Sequence, residues 1–451
     1  MATPIPEAVD GARLSLAWGI PFAGLLLSIA AMPLVAPKFW HAHYGKFALA
    51  WALAFVVPFA VVHGGGHALH EVVHALVAEY VPFLAVLFAL FTIAGGICVR
   101  GQFRATPGLN TGILALGAAL ASIMGTTGAS MLLIRPLLTA NEGRRYRAHV
   151  VVFFILLVGN VGGALSPLGD PPLFIGFLKG VDFFWTTQAL ALPTAALVVA
   201  LLVIFNAVDR VLFTREPEWL AEHGHRLVVD LEGTANFLLL ACVIGAVLMS
   251  GLWKPEITID VVGTPVALPA LLRDAILVAL AGVSLAITSR KIRQHNAFHW
   301  EPIIEVAKIF AGIFITIIPV LTILAAGREG ALGWLSQLVR NPSGELNDVA
   351  IFWTTGLLSA FLDNAPTYLV FMNLAGGDAQ ALMGPLAMTL KAISMAAVYF
   401  GALTYIGNAP NFMIKAIAED RGVAMPSFFA YFAWGSLVMM PLLFVVGTFM
   451  L

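Results

Sequence analysis

Long apolar runs separated by short polar segments follow one another along the whole chain. A run of about 20 apolar residues is long enough to cross the roughly 30 Å hydrocarbon layer of a membrane as a helix. The uninterrupted runs lie near 14–35, 47–62, 81–99, 186–206, 236–253, 270–288, 303–324 and 427–450. The pattern therefore predicts an all-α polytopic membrane protein.

Four further apolar runs are interrupted by small and polar residues. Those near 110–140 and 349–375 contain "MGTTGAS" and "LDNAPT", and we expect them to be re-entrant hairpins that enter and leave on one side. Those near 147–181 and 383–418 contain "GALSPLGDPPLF" and "GALTYIGNAPNF", and we expect them to be broken helices that cross completely. Together with the uninterrupted runs, the broken helices give about ten transmembrane helices.

The interruptions repeat in the same order in the two halves of the chain. When 163–174 is laid over 401–412, Gly, Ala, Leu, Gly, Pro and Phe coincide. The hairpin segments 122–133 and 359–370 align at nearly the same offset. Paired interruptions in corresponding apolar segments of inverted halves are the best sequence indication of a transporter's binding site.

Five crossings in each half would place the second half upside down relative to the first. We predict a first inverted repeat (1–206), a cytoplasmic linker (207–235) and a second inverted repeat (236–451). The positive-inside rule agrees if both termini lie outside an inner (plasma) membrane. The loops predicted to be cytoplasmic then hold Lys38, Lys46, Arg100, Arg104, Arg144, Arg145, Arg147, Arg210, Arg215, Arg226, Arg290, Lys291, Arg293 and Arg421. The outer loops hold fewer basic residues, namely Arg13, Lys179, Lys254, Arg273, Arg328 and Arg340.

Composition narrows the possible functions. The 451 residues are 60% hydrophobic and only 11% charged, with a net charge of -1, whereas soluble domains carry about 25% charged residues. The net charge argues against nucleic acid as a partner, because binding phosphates needs a basic face. The sequence contains no GxxxxGK[ST] phosphate loop, which favours transport driven by ion gradients over transport driven by nucleotide.

Proline and glycine explain why the helices break. Proline lacks a backbone donor, and the groups that it frees are stable in a membrane only against protein, water or an ion. Two opposed half-helices would direct their N-terminal dipoles and free carbonyls at one point, where an ion can bind. The residues assigned to the breaks are Gly169, Pro171, Pro172, Gly407 and Pro410. The alternative is a set of kinks that only shape the helices.

Asp170 and Asp363 are the two acids within these interruptions, and an ionisable residue inside a membrane is a functional candidate by default. Their neighbours offer hard oxygen ligands, which suit a hard cation. Because burial disfavours a charged carboxylate, protons should compete with the cation. The neighbours are Thr126, Thr127, Ser130, Asn160, Ser166, Asn364, Thr367, Thr404, Asn408 and Asn411. A structural alternative makes Asp170 a helix N-cap and 363–364 a capped turn.

The motifs "GDPP", "LDNAPT" and "GNAPN", in this order, resemble the ion transporter superfamily over nearly the whole chain. Within it, the chain is similar to the NhaD-type sodium/proton antiporters and to the related citrate transporters. The resemblance implies a scaffold domain and a mobile transport domain, a homodimer, an elevator-like movement, and a substrate site at the hairpin tips and helix breaks. In the anion-carrying branch the tips resemble Ser-Asn-Thr, whereas 125–128 here reads Gly-Thr-Thr-Gly and 363–365 reads Asp-Asn-Ala.

We therefore expect a secondary transporter rather than an enzyme, and first a sodium/proton antiporter with Na⁺ and H⁺ as its ligands and no cofactor. The alternative is cation-coupled transport of citrate or another small carboxylate. Arg135 and Lys391 could receive its carboxylate groups, although snorkelling or pairing with an acid is the plainer role for both. An acid at a tip would repel a carboxylate unless a bound cation masked it.

A second motif, His70-Glu71-Val72-Val73-His74, matches H-E-x-x-H, in which two histidines bind zinc and the glutamate acts as a base. This raises the alternative of an intramembrane metalloprotease, and His63 and His67 extend the same helical face. No third ligand is evident in the sequence. We expect an amphipathic surface helix outside the membrane, between the second and third spans, with a pH sensor or an adventitious metal site as alternatives.

Overall fold

The computed structural model describes residues 9–102, 106–216 and 228–451. This part of the chain is nearly all helical, and ten of its helical segments are long and apolar enough to cross a membrane. They are Leu16–Val35, Pro37–His63, Gly65–Ala94, Pro107–Met124, Ala148–Leu165, Phe183–Phe213, Ala235–Leu252, Leu268–Ile287, Glu301–Ala325 and Phe428–Phe449. The prediction of an all-α polytopic membrane protein is confirmed.

The α-helices are numbered in chain order. The first half contains α1 (Ile20–Val35), α2 (Pro37–His63), α3 (Gly65–Ala75), α4 (Val81–Ala94), α5 (Pro107–Met124), α6 (Thr126–Ala140), α7 (Ala148–Leu157), α8 (Pro171–Leu178) and α9 (Phe183–Phe213). The second half contains α10 (Ala235–Leu252), α11 (Leu268–Ile287), α12 (Arg290–His295), α13 (Glu301–Thr316), α14 (Ile318–Ala325), α15 (Gly333–Leu338), α16 (Asp348–Leu362), α17 (Asn364–Leu374), α18 (Ala379–Met383), α19 (Ala387–Phe400), α20 (Ala409–Asp420) and α21 (Phe428–Phe449).

The predicted third span, 81–99, is wrong at both ends. Gly64, at φ 94°, ends α2, and from Gly65 the helix runs through α3, a π-helical turn and α4 to Ala94. The H-E-x-x-H segment is therefore the first part of this long helix rather than a separate helix. After Ala94 two glycines end the helix, and Cys98–Gln102 forms a strand.

Two small antiparallel sheets, which the sequence analysis did not predict, lie between the helices. Strand β1 (Cys98–Gln102) pairs with β2 (Val228–Glu232), with Cys98 opposite Glu232. Strand β3 (Thr258–Val261) pairs with β4 (Thr264–Ala267). Sheet β1–β2 ties the end of the third long helix to the segment before α10.

The first residues of the predicted linker, 207–235, are helical, because α9 continues to Phe213. Asp209, in this last part of α9, is buried, and its Oδ1 lies 2.5 Å from Arg144 Nη2. The helix therefore extends past the apolar run and contributes this ion pair. The middle of the predicted linker, 217–227, lies outside the described residues, as do Arg104 and Arg226 from the predicted cytoplasmic set.

The two predicted hairpins are present. In hairpin 1, α5 and α6 join at Gly125, and Asn110 and Asn141 at their far ends exchange amide hydrogen bonds of 3.0 and 2.8 Å. The two arms therefore start and finish at the same end of the molecule and form a helical hairpin. In hairpin 2, α16 and α17 join at Asp363.

The two broken helices lie at the centre of the protein. All residues from His149 to Leu157 in α7 are buried, and so are nearly all those of α19. By contrast, α2 exposes Leu53, Val57 and Val61 along one face, as a helix against lipid does. The interrupted elements are therefore enclosed by the other helices, away from lipid.

Candidate functional site

Each broken helix is interrupted where its chain crosses itself at two glycines. In the first, a Cβ built on Gly169 would lie 2.0 Å from the backbone oxygen of Gly163. In the second, a Cβ on Gly407 would lie 2.7 Å from the backbone oxygen of Gly401. Any larger residue would force these segments apart, so the close approach requires glycine at both breaks.

The prolines have a different role from the one expected. Pro171 and Pro172 open α8, and Pro410 is the second residue of α20. In the first turn of a helix the backbone N–H has no helical partner, so proline costs nothing there and its fixed φ favours the helix. The glycines and the short 3-10 turns make the breaks, and the prolines start the half-helices that follow.

Matching contacts hold the two breaks against the two hairpins. Ser166 Oγ donates to the Ser122 carbonyl, and Thr404 Oγ1 donates to the Ala360 carbonyl. Both donors and both acceptors are 238 positions apart in the chain, which is also the offset between Asp170 and Asn408. The same offset pairs residue 125 with residue 363, so the predicted alignment of 122–133 with 359–370 is wrong by one residue.

The hairpin tips have the same backbone conformation. Gly125 has φ 81° and Asp363 has φ 72°, and each precedes the second arm of its hairpin. With ψ of 150° and 139°, both residues lie outside the left-handed helical region that aspartate tolerates, in a region that glycine adopts freely and other residues adopt only under strain. The chain therefore places an acid where the first hairpin has glycine.

Asp170 is the point at which all four interrupted elements meet. It is 1% exposed and precedes α8. Its Oδ1 accepts hydrogen bonds from Asn408 Nδ2 at 2.9 Å and from Thr126 Oγ1 at 3.2 Å. Its Oδ2 accepts one from Asn364 Nδ2 at 2.6 Å. One carboxylate is thus held by the tips of both hairpins and by the break of the second helix.

A second row of amides supports this contact. Asn408 Nδ2 also donates to Asn160 Oδ1 at 3.2 Å, and Asn160 Nδ2 donates to Asn411 Oδ1 at 2.7 Å. Asn411 Nδ2 in turn donates to the carbonyls of Gly401 and Thr404, both at 2.8 Å. The chain of bonds fixes the orientation of each amide, and it joins the first broken helix to the second.

Asp363 behaves differently from Asp170. Its Oδ1 accepts from the Ala365 backbone at 3.2 Å, and its carbonyl accepts from Thr367 Oγ1 at 2.8 Å. The capping hypothesis is therefore correct for the Asp363 side chain. It is wrong for Asp170, which occupies the N-cap position of α8 without making a capping bond.

Two buried oxygens of this region have no hydrogen-bond partner among the described residues, namely Asn364 Oδ1 and Ser130 Oγ. The Nδ2 atom of the same Asn364 amide contacts Asp170. Ser130 lies on α6, one turn after Thr126. Buried acceptors without a partner carry a free-energy cost, and carboxylate, amide and hydroxyl oxygens are the ligands that hard cations prefer. The arrangement can therefore hold a cation or a proton.

A cavity of about 660 Å³ leads away from this point. Its inner end is lined by the two acids and by Thr126, Thr127, Asn408, Gly169, Pro171 and Pro410. Its outer part is lined by Lys38 and His41 at the start of α2, Glu301 at the start of α13 and Asp420 at the end of α20. The other predicted ligands are not among its lining residues, namely Ser130, Asn160, Ser166, Asn364, Thr367, Thr404 and Asn411.

The two basic residues singled out in the sequence lie in different places. Arg135 lines the cavity. Lys391 does not, and its Nζ donates to the Met450 carbonyl at 2.5 Å. Of the two, only Arg135 can meet a molecule in the cavity.

The histidine motif lies apart from the site. His67 Nε2 is 3.6 Å from Glu71 Oε1, and the rings of His70 and His74 are 6.5 Å apart. Within 9–102, 106–216 and 228–451, no three His, Cys, Asp or Glu side chains are grouped closely enough to hold a metal ion. The geometry gives no support to the metalloprotease hypothesis.

Ser122 is a functional candidate that the sequence analysis did not select. Its Oγ donates to the Gly162 carbonyl at 2.6 Å and accepts from the Leu165 backbone at 3.0 Å. It thus satisfies two backbone groups that the first break leaves free. The sequence offered a signal for it, because Ser122 lies two residues before the "MGTTGAS" interruption, which begins at Met124.

Comparisons with known proteins agree with a transport function. The family described as "Putative citrate transport" matches residues 11–451. Two proteins named "Uncharacterized transporter", from Mycobacterium bovis and Mycobacterium tuberculosis, are each 27% identical over 344 residues, which is 72% of either chain. A "46 kDa membrane protein" of Mycobacterium leprae is 25% identical over 325 residues, covering 69% of this chain and 68% of its own. The predicted resemblance to citrate transporters is confirmed.

Proposed function

The chain belongs to the family described as "Putative citrate transport", and from this premise we propose that it is a secondary transporter in which Na⁺ and H⁺ compete for Asp170 and Asp363. The observation that carries the proposal is the buried Asp170 carboxylate, which both hairpin tips and the second helix break contact at once. A bound cation would join these four elements, and its release would loosen them. Binding and movement of the elements are thereby coupled.

Sodium/proton antiport is the first form of this function. No Lys or Arg among the described residues forms an ion pair with Asp170 or Asp363, so their charges are left for an exchangeable cation. Each carboxylate can bind Na⁺ when ionised or hold a proton when neutral, but it cannot do both. Exchange of one for the other follows if the site faces the two sides of the membrane in turn.

Cation-coupled transport of a small carboxylate is the second form. The family description favours it, and so does the size of the cavity, which is within the range of roughly 300–1,000 Å³ typical of sites for small molecules. In this form the cation at the two acids would screen their charge and let a carboxylate approach.

The test uses purified protein in liposomes without ATP. One arm imposes a sodium gradient and follows internal pH with a trapped dye, and the other follows labelled citrate under a sodium or proton gradient. Sodium-driven proton movement without citrate uptake indicates antiport, and gradient-dependent citrate uptake indicates the second form. The Asp170→Asn protein is the matched control. Activity that strictly requires ATP, or neither activity in correctly folded protein, would refute the proposal.

We also propose that the two halves are inverted repeats with both termini outside the cell, so that the cavity opens to the cytoplasm. Lys38 and Asp420, which border its mouth, lie in or next to loops that the positive-inside rule assigns to that side. An impermeant thiol reagent should label Met450→Cys in intact cells and Asp420→Cys only in inverted vesicles. The opposite labelling would reverse the orientation.

A further inference from the structure

The charge of Arg135 has no acidic partner within 4 Å in the described residues 9–102, 106–216 and 228–451. Its Nη1 is buried and has no hydrogen-bond partner in the part of the chain that the structure describes. The arginines Arg13, Arg100, Arg144 and Arg273 each lie within 4 Å of an acid, whereas Arg135 forms no such pair among the described residues. Arg135 as a whole is partly exposed, but a buried guanidinium nitrogen without a partner is costly, and an unpaired charge within a membrane indicates a functional role.

The position of Arg135 connects it to the cation site. Thr127, Met131 and Arg135 are spaced by four on α6, and all three line the cavity. One face of the helix therefore runs from the hairpin tip to the guanidinium. At about 1.5 Å per residue, Thr127 and Arg135 are about 12 Å apart along the axis. Because the Cα–Cβ bonds of a helix tilt towards its N-terminus, the arginine side chain starts in the direction of the tip.

The acids near the mouth of the cavity do not pair with Arg135. His41 Nε2 lies 2.8 Å from Glu301 Oε1, so that acid already has a partner. Glu305 and Asp420 also line the cavity, but neither is within 4 Å of Arg135. Because Glu305 and Asp420 add negative charge to the mouth, a carboxylate would be attracted to the guanidinium of Arg135 rather than to the mouth as a whole.

We propose that Arg135 is the carboxylate-binding residue of the cavity, and that it determines whether this transporter accepts an organic anion together with its cation. The inference rests on the second form of the proposed function. A planar guanidinium can hold a carboxylate with two parallel hydrogen bonds. The substrate would then lie between Arg135 and the cation held by Asp170 and Asp363, with negative groups facing a positive charge at both ends.

The test measures binding of labelled citrate to the purified protein in saturating sodium, with unlabelled tricarboxylates, dicarboxylates and monocarboxylates as competitors. Arg135→Gln should weaken citrate binding at least tenfold, and Arg135→Lys should weaken it less, because lysine keeps the charge but loses the paired geometry. The matched control is Lys391→Gln, which also removes a basic residue from an apolar segment but lies outside the cavity. It should bind citrate like the wild type.

A second measurement covers the case in which Arg135→Gln fails to fold. Met131→Cys places a thiol on the same face of α6, one turn from Arg135, and citrate should slow its modification by a thiol reagent. Unchanged citrate binding by Arg135→Gln would overturn the proposal, and so would a wild type that binds no carboxylate and shows no protection at Met131→Cys. In the latter case sodium/proton exchange by the same preparation would still support the cation site, so the two failures are distinguishable.

Discussion

Replacing Asp170 by Asn removes the negative charge of the side chain and keeps its shape nearly unchanged. Asp170 Oδ1 accepts from Thr126 and Asn408, and Oδ2 accepts only from Asn364. An amide with its oxygen at the Oδ1 position keeps the first two bonds. Its Nδ2 would then face the Asn364 amide, which can turn over and present its unpartnered Oδ1. The structural cost should therefore stay at or below the roughly 1–3 kcal/mol of one unsatisfied buried group.

The cost to cation binding is larger. Two unit charges about 4 Å apart attract each other by about 4 kcal/mol at an effective dielectric constant near 20. Since about 1.4 kcal/mol corresponds to tenfold, Asp170→Asn should weaken sodium binding on the order of a thousand-fold. Sodium-driven proton movement should be lost, because the substitution also removes the group that would carry the proton.

The assay is the response of a trapped pH dye to added sodium in proteoliposomes, with thermal unfolding measured on the same preparations. The control is Asp378→Asn, which neutralises an exposed aspartate that caps α18 through a 2.9 Å bond to the Gln380 backbone. It should transport like the wild type, because asparagine caps a helix nearly as well as aspartate. Wild-type exchange by folded Asp170→Asn would remove this carboxylate from the mechanism.

Three further substitutions, one of them with a matched control, test other parts of the protein. Asp363→Asn should keep the cap and the tip conformation, so the melting temperature should change little, but it removes the carboxylate charge, so transport should be lost. A variant that still transports would leave Asp363 with a capping role only. Gly169→Ala would place a Cβ 2.0 Å from a backbone oxygen and should destabilise the protein by about 3 kcal/mol. Gly245→Ala, with nothing within 4 Å of its Cβ, should have little effect, and equal melting temperatures for these two variants would contradict the crossing at the break. Asp209→Ala removes the 2.5 Å partner of the buried Arg144, which keeps the more distant Glu216 at 3.7 Å, and should cost about 3 kcal/mol in denaturant unfolding, the lower end for a broken buried pair; a loss below 1 kcal/mol would show that the pair is dispensable.

The sequence by itself determined the spans, the breaks and the acids. Within a bilayer every backbone group must be satisfied, so apolar runs of sufficient length become helices and interruptions become conspicuous. The hairpin boundaries changed by only a few residues between prediction and structure, from 110–140 to 107–140 and from 349–375 to 348–374. The span predicted at 81–99 was wrong at its two ends, where glycines decide the boundary, and the apolar run predicted at 186–206 continues as helix to Phe213, where a buried ion pair lies.

Only the tertiary structure decided which role each polar residue of the site has. The sequence placed Asp170 and Asp363 in equivalent roles, but Asp170 gathers three donors whereas Asp363 caps its own helix. The decisive partners Asn364 and Asn408 lie 194 and 238 positions from Asp170. Periodicity and spacing describe which groups one helix presents, but the contact between the two distant breaks is made by the amides of Asn160, Asn408 and Asn411, which meet only in the folded protein. The packing of the two halves against each other therefore sets the geometry of the site.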